Sequence, residues 1–219
     1  MKIYTCYTES HKILLEKYFL PSAEKFNLEI VIKKFDQDCP SAEYKHDGWL
    51  KTMTNKAEYF QQACNENIDQ YFLYTDCDVQ FFGDPSSTVE EELDGYDIAF
   101  QDDVHPHVGR NTYCAGVVAC RGSKSVSDLW DIIIKSLYTA KNNYDDQDTL
   151  NNLINDSVKH KLLSHKFYTV AQTTKKLWNN DDTEFQIPND ILVHHANWTH
   201  GVKNKIKLLE LVKQKYYLK

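Results

Sequence analysis

The chain has 219 residues, with 25 Lys and Arg against 32 Asp and Glu, a formal net charge of −7. Hydrophobic residues make up 42% and aromatics 13%, with only 7 Gly and 5 Pro, which excludes a collagenous or a Pro/Gly-rich disordered chain. The length suits a single domain over residues 1–219, and the acidic balance argues against non-specific binding to nucleic acid or an anionic membrane, while leaving room for one basic pocket around a phosphate ligand.

Strand-like and helix-like patterns alternate. Ile3–Tyr7 is apolar and β-prone, and the run Lys2–Tyr7 is too short, with no small-residue cleavage site behind it, for a signal peptide. His11–Leu20 has helical spacing at Leu14, Leu15, Tyr18 and Phe19, with Pro21 as its stop. Leu28–Ile32 is a second strand. Trp49–Cys64 repeats Leu50, Met53, Ala57, Phe60 and Cys64 at helical steps. Tyr71–Thr75, apolar on both sides, is a central strand, followed by strands at Asp97–Phe100 and Gly116–Cys120. Ser125–Ala140 is a helix opened by Ser125 with Asp128 three residues on. Tyr144–Ile154 is another helix, Ile191–His194 the last strand, and Lys203–Tyr217 the closing helix. This order predicts a three-layer α/β/α fold around a mixed, mainly parallel sheet, with ligands at the carboxyl ends of the strands. No apolar run reaches the roughly 20 residues of a bilayer span. The six cysteines (6, 39, 64, 77, 114 and 120) contain no C-x-x-C pair, and read as reduced, mostly buried thiols of a cytoplasmic protein.

The chemistry concentrates just after the strands. The central strand runs into Asp76-Cys77-Asp78, two carboxylates brought to a sheet edge where a cation must balance them if they are buried. Hard oxygen ligands of this kind suit Mg²⁺ or Mn²⁺ holding a diphosphate. Two enzyme classes use such a pair: metal-dependent nucleotide-sugar transferases, and phosphohydrolases of the haloacid dehalogenase kind, where the first Asp is a nucleophile. The phosphohydrolase pattern wants its pair near the chain start and leaves the carboxyl-terminal histidines without a role. Those histidines open His194-His195-Ala196-Asn197-Trp198-Thr199-His200-Gly201-Val202-Lys203-Asn204-Lys205, which joins a strand to a basic helix start. Gly201 lets the backbone approach a phosphate, Lys205 can neutralise one, and a helix amino end favours an anion. A glycan on Asn197-Trp198-Thr199 would block this loop, which fits a compartment without N-glycosylation.

The pattern H-x-N-W-x-x-G-x-x-x-K resembles the signature of the nucleotide-diphospho-sugar transferases of the GT-A fold. It is similar to the plant pectin xylosyl- and arabinosyltransferases and, more loosely, to the glycogenin and bacterial galactosyltransferase group. The resemblance implies that Asp76, Asp78 and His195 share one divalent metal, and that Gly201 and Lys205 hold the donor diphosphate. His194 would face the other side of the strand end. Asp145-Asp146-Gln147-Asp148-Thr149-Leu150-Asn151 looks like the D-Q-D-x-x-N helix start of the retaining members. By that likeness Asp146 contacts the donor sugar and Gln147 lies at the reacting face; the plainer alternatives are helix capping for Asp145 or Asp146, which can coexist with sugar contact, and a solvated first-turn residue for Gln147. Cys114-Ala115-Gly116 stands where the wider superfamily has an Asn-led turn on the sugar, so the thiol puts the usual sugar contact in question. Asp102 or Asp103 is expected on sugar hydroxyls, Thr5 and Tyr7 in the nucleotide-binding turn after the first strand, and Lys56 at the nucleotide.

Together these readings predict a retaining glycosyltransferase that moves a sugar from a UDP-linked donor to a hydroxyl of a glycan or glycoprotein acceptor, with Mn²⁺ or Mg²⁺ as cofactor and neither nucleic-acid partner nor membrane span. Its small size without a stem suits a bacterium or a virus-infected host cell. Two other classes stay open. A sugar-1-phosphate nucleotidyltransferase would need a Gly-rich loop after the first strand, and Thr5–Ser10 has no glycine. A non-catalytic nucleotide-sugar binder would hold the donor without releasing UDP.

Overall fold

The computed structural model describes residues 1–104, 112–140 and 145–218. Two sheets organise the chain. The larger has six strands: β1 (Lys2–Tyr7), β2 (Glu29–Lys34), β3 (Tyr71–Asp76), β5 (Ile98–Asp102), β6 (Tyr113–Arg121) and β7 (His160–Leu162), in the spatial order β2-β1-β3-β6-β5-β7. The smaller joins β4 (Val79–Phe81), β9 (Val193–His195) and β8 (Phe167–Tyr168). β1 runs parallel to β2 and β3, β7 parallel to β5, and only β6 is antiparallel to its neighbours.

Alternation along the strands feeds two cores. On one face Tyr4, Phe72, Tyr74, Phe100, Val118 and Cys120 pack under α3 (Trp49–Glu66), α5 (Lys124–Thr139) and α6 (Asp146–Leu153). Phe60 of α3 lies against Trp130 of α5, ring centroids 4.3 Å apart. On the other face Ile3, Leu73, Val117 and Ala119 meet Leu15, Phe19 and Ala23, together with Val89 of α4 (Ser86–Glu92) and Val193. A third cluster seats α8 (Val202–Tyr217) through Leu208, Leu209 and Val212. The short α7 (Ala171–Thr174) follows β8. The layering is the predicted α/β/α sandwich.

Two local expectations need correction, and a third lies partly outside the described residues. Pro21 does not end the first helix. The chain runs through α1 (Lys12–Leu14), a π turn over Leu15–Phe19 and α2 (Leu20–Glu24), with Pro21 in the first turn of α2. The Leu20 amide reaches back to the Leu15 carbonyl, and this wider turn lets the helical path continue where proline removes an amide. Ser123, not Ser125, caps α5: its hydroxyl accepts from the Val126 amide at 3.3 Å. Tyr144, expected to open α6, lies outside the described residues; the cap is Asp145, which accepts from the Asp148 amide at 2.8 Å.

Candidate active site

A cavity of about 580 Å³ opens at the carboxyl ends of β1 and β3, between α3, the start of α6 and the start of α8. Asp76 ends β3, Asp78 precedes β4, and His195 ends β9, the register partner of Val79. One ligand atom from each of the three lies within 4.8 Å of the others. His195 Nε2 is 3.3 Å from Asp78 Oδ1 and 3.8 Å from Asp76 Oδ2. Among the described residues this is the one group of side chains so arranged.

The imidazole is oriented from behind. His195 Nδ1–H donates to Gln101 Oε1 at 2.8 Å, which turns Nε2 toward the aspartates. Gln101 is fixed in turn: its amide donates to the Phe167 and Tyr168 carbonyls, both at 3.1 Å. Gln101 is fully buried at the point where the β5–β6 register breaks. The sequence reading passed over it for its acidic neighbours; the signal was a strand-final polar residue on an inward position. His194, as expected, faces away, fully buried beside the Tyr168 ring and pushed down to about 3 by burial.

Space for the trio comes from Gly116. A Cβ there would fall against His195 Cε1 and 2.7 Å from Asp76 Oδ2. Two lysines balance the carboxylates. Lys205 Nζ pairs with Asp78 Oδ2, and Lys56 Nζ sits 3.0 Å from Asp76 Oδ1 and 3.1 Å from Asp146 Oδ2. Burial works against the Asp78 charge, but Lys205 and His195 outweigh it and hold the carboxyl well below the usual range. Burial likewise opposes charge on His195, and Asp78 overrides it, raising the imidazole to about 10. Lys56, expected at the nucleotide, lines the cavity, and there its ammonium contacts carboxylates.

The first turn of α6 brings Asp146 and Gln147 to the cavity, where Gln147 Oε1 accepts from the Ala115 amide at 3.2 Å. Burial raises Asp146 to about 6, with Lys56 the main offset. Cys114 Sγ lies 3.9 Å from His195 Nδ1 and accepts from the Gly116 amide at 3.4 Å. Asp103 lines the cavity under Trp198, whose Nε1–H donates to its carbonyl at 2.7 Å and to Oδ1 at 3.1 Å. Burial lifts Asp103 to about 7. Trp198 makes these contacts from a left-handed backbone, φ 52°, an uncommon conformation for a bulky residue. Asp102 is not among the lining residues; its carboxylate accepts from the Val104 amide at 2.8 Å and closes its own turn.

Gly201, at φ 77°, turns the chain into α8 at the cavity wall, and Lys205 follows one turn later. Thr5 is a correction. It lies fully buried between β2 and β3, opposite Ile32 and Thr75, and does not line the cavity. The chain reaches the cavity only beyond it, at Cys6, Tyr7, Thr8 and His11. His11, which sequence reasoning missed, is held by Ser10 Oγ at 2.9 Å. The segment between β2 and α3 crosses the rim: Tyr44 approaches His200, ring centroids 6.4 Å apart, and Lys45 pairs with Asp148 at 3.3 Å.

Solved structures share this architecture. GlyE of Streptococcus pneumoniae aligns with TM-score 0.58 and 18% identity over 89% of this chain, which spans about half of that protein (53%). A glycosyltransferase involved in glycosylation of the major capsid of PBCV-1 aligns with TM-score 0.60 and 12% identity, over 97% of this chain and 98% of that one. The galactosyltransferase LgtC, solved with donor and acceptor sugar analogs, aligns with TM-score 0.54 and 15% identity, over 98% and 96%. Identities this low establish the GT-A fold alone. No curated protein matches the sequence. The model of the nucleotide-diphospho-sugar transferase family matches residues 22–209, which leaves the phosphohydrolase reading without support. With most of its length inside that match, the chain belongs to the nucleotide-diphospho-sugar transferase family.

Proposed function

We propose that the protein is a metal-dependent, retaining glycosyltransferase that moves a hexosyl or pentosyl group from a UDP-linked donor to a hydroxyl of a glycan or glycoprotein. The observation that carries this reading is the convergence of Asp76, Asp78 and His195 at the head of one cavity. The trio fits Mn²⁺ or Mg²⁺. Two carboxylates offer hard oxygen, the Gln101 contact turns Nε2 toward them, and the missing Cβ of Gly116 keeps the space open. Held there, the ion supplies Lewis-acid stabilisation of the departing diphosphate.

The chain's own groups do the rest. Lys205 and the amino end of α8, entered through Gly201, receive phosphate charge. Cys6, Tyr7 and Thr8 line the side nearest β1, suited to the nucleoside. Asp146, Gln147 and Asp103 line the sugar end, where Cys114 replaces a hydrogen-bonding side chain with a thiol. Positive charge develops at the anomeric carbon as its bond to the diphosphate breaks, and Asp146 and Gln147 stabilise that face. The acceptor hydroxyl attacks from the face the diphosphate leaves, forming the new C–O bond and passing its proton to the departing phosphate oxygen. Gln147 is a poor nucleophile and its carbonyl oxygen is engaged by Ala115, which favours front-face attack over a covalent intermediate. Six free, buried cysteines support a reducing, cytoplasmic setting.

The test is release of free UDP from a panel of UDP-sugars with Mn²⁺. Release that stops with chelator and in Asp78→Ala supports the reading. Undiminished release by Asp78→Ala in chelator removes the metal role, and tight binding without release makes the chain a nucleotide-sugar binder.

A further inference from the structure

Lys56 is the one charged side chain that α3 buries, 7% exposed among Thr54, Ala57, Tyr59 and Phe60. A buried ammonium is costly unless paired, and here two carboxylates from distant parts of the chain meet it. Its Nζ straddles Asp76, 3.0 Å from Oδ1 and 3.3 Å from Oδ2, and lies 3.1 Å from Asp146 Oδ2. Asp76 belongs to the ion-facing trio, and Asp146 to the first turn of α6 at the sugar end. Without a cation between them the two carboxylates would repel and separate.

We propose that Lys56 is a positioning residue: it ties Asp76 to Asp146, sets the spacing between ion site and sugar site, and serves as a resident counter-charge against which an arriving divalent ion must compete. The proposal rests on the transferase reading for what the two ends do; the competition itself is a property of these three side chains. Removing the ammonium leaves more negative charge beside the trio and should tighten ion binding, while Asp146 loses its hold and transfer slows. A lysine that merely supported the fold would not move the two in opposite directions.

The experiment titrates Mn²⁺ alone, by calorimetry, into the wild-type chain, Lys56→Met and Lys56→Arg, with turnover of a UDP-sugar measured alongside. Lys56→Met is expected to bind Mn²⁺ about tenfold more tightly and to turn over about a hundredfold more slowly. Lys56→Arg, which keeps the charge, is expected to match wild-type ion affinity and regain part of the turnover. Unchanged or weaker Mn²⁺ binding by a folded Lys56→Met overturns the proposal. If Lys56→Met does not fold, Lys56→Arg decides: tenfold tighter Mn²⁺ binding by it overturns the proposal, and wild-type affinity with partial turnover supports it. A wild-type chain that takes up no Mn²⁺ also overturns it. If wild type binds Mn²⁺ but releases UDP from no donor, the transferase reading fails, and the Mn²⁺ comparison still decides the role of Lys56 as counter-charge.

Discussion

Asp103 is the residue whose chemistry departs furthest from its sequence context. In the run Gln101-Asp102-Asp103 the two aspartates look alike, yet one is wrapped by Trp198 and lifted to about 7 by burial while the other, half-buried, closes its own turn. The sign of the consequence is fixed. Unfolded Asp103 releases its proton near 3.8 and folded Asp103 near 7, so between these values the folded chain holds the extra proton. Stability from this group is therefore lost as pH rises through that window. Asp103→Asn, which keeps an acceptor for the Trp198 indole, should melt at temperatures that differ less between about pH 5 and about pH 8 than wild type does. An unchanged pH dependence would show that Asp103 does not titrate in that range. Thr5 shows the converse limit. It sits next to Cys6, which lines the cavity, and only the strand pairing reveals that Thr5 itself is sealed between β2 and β3.

Elements, rather than single residues, aim the trio. Asp76 and Asp78 were legible because a β-prone run delivered them to a strand end, and His195 because it headed a recognisable loop. Gln101 was not legible, since its task depends on β5 breaking register with β6 and on two carbonyls of β8, a two-residue strand with no periodicity to read. Replacing Gln101 with Leu should leave the sheet intact by circular dichroism and weaken Mn²⁺ binding about 10- to 100-fold, because His195 loses the acceptor that fixes its tautomer. Unaltered affinity would mean that packing alone orients the ring. Pro21 and Ser123 were missed for a related reason: a π turn and the choice between two nearby serines are settled by the tertiary contacts of the helix, which outweigh local propensity.

At the scale of the whole molecule, the alternation of strands and helices made the layers legible, and the long, strongly patterned α3, β3 and α5 lie close to their expected bounds. The smaller sheet was almost invisible, because β4 has three residues and β8 two. That sheet carries half of the trio's support. Asp76 stands on the six-stranded sheet, whereas His195 stands on the three-stranded one and Asp78 spans the link between them. A cation shared by these groups would thus act as a rivet across a seam that the Gln101 hydrogen bonds to β8 and His195 also cross. Saturating Mn²⁺ at about 100 times its dissociation constant should add about 2.7 kcal/mol to resistance against unfolding. Stripped of the ion, the molecule should loosen first where the two sheets join, so amide exchange at β4 and β9 ought to quicken before that at β1 and β3.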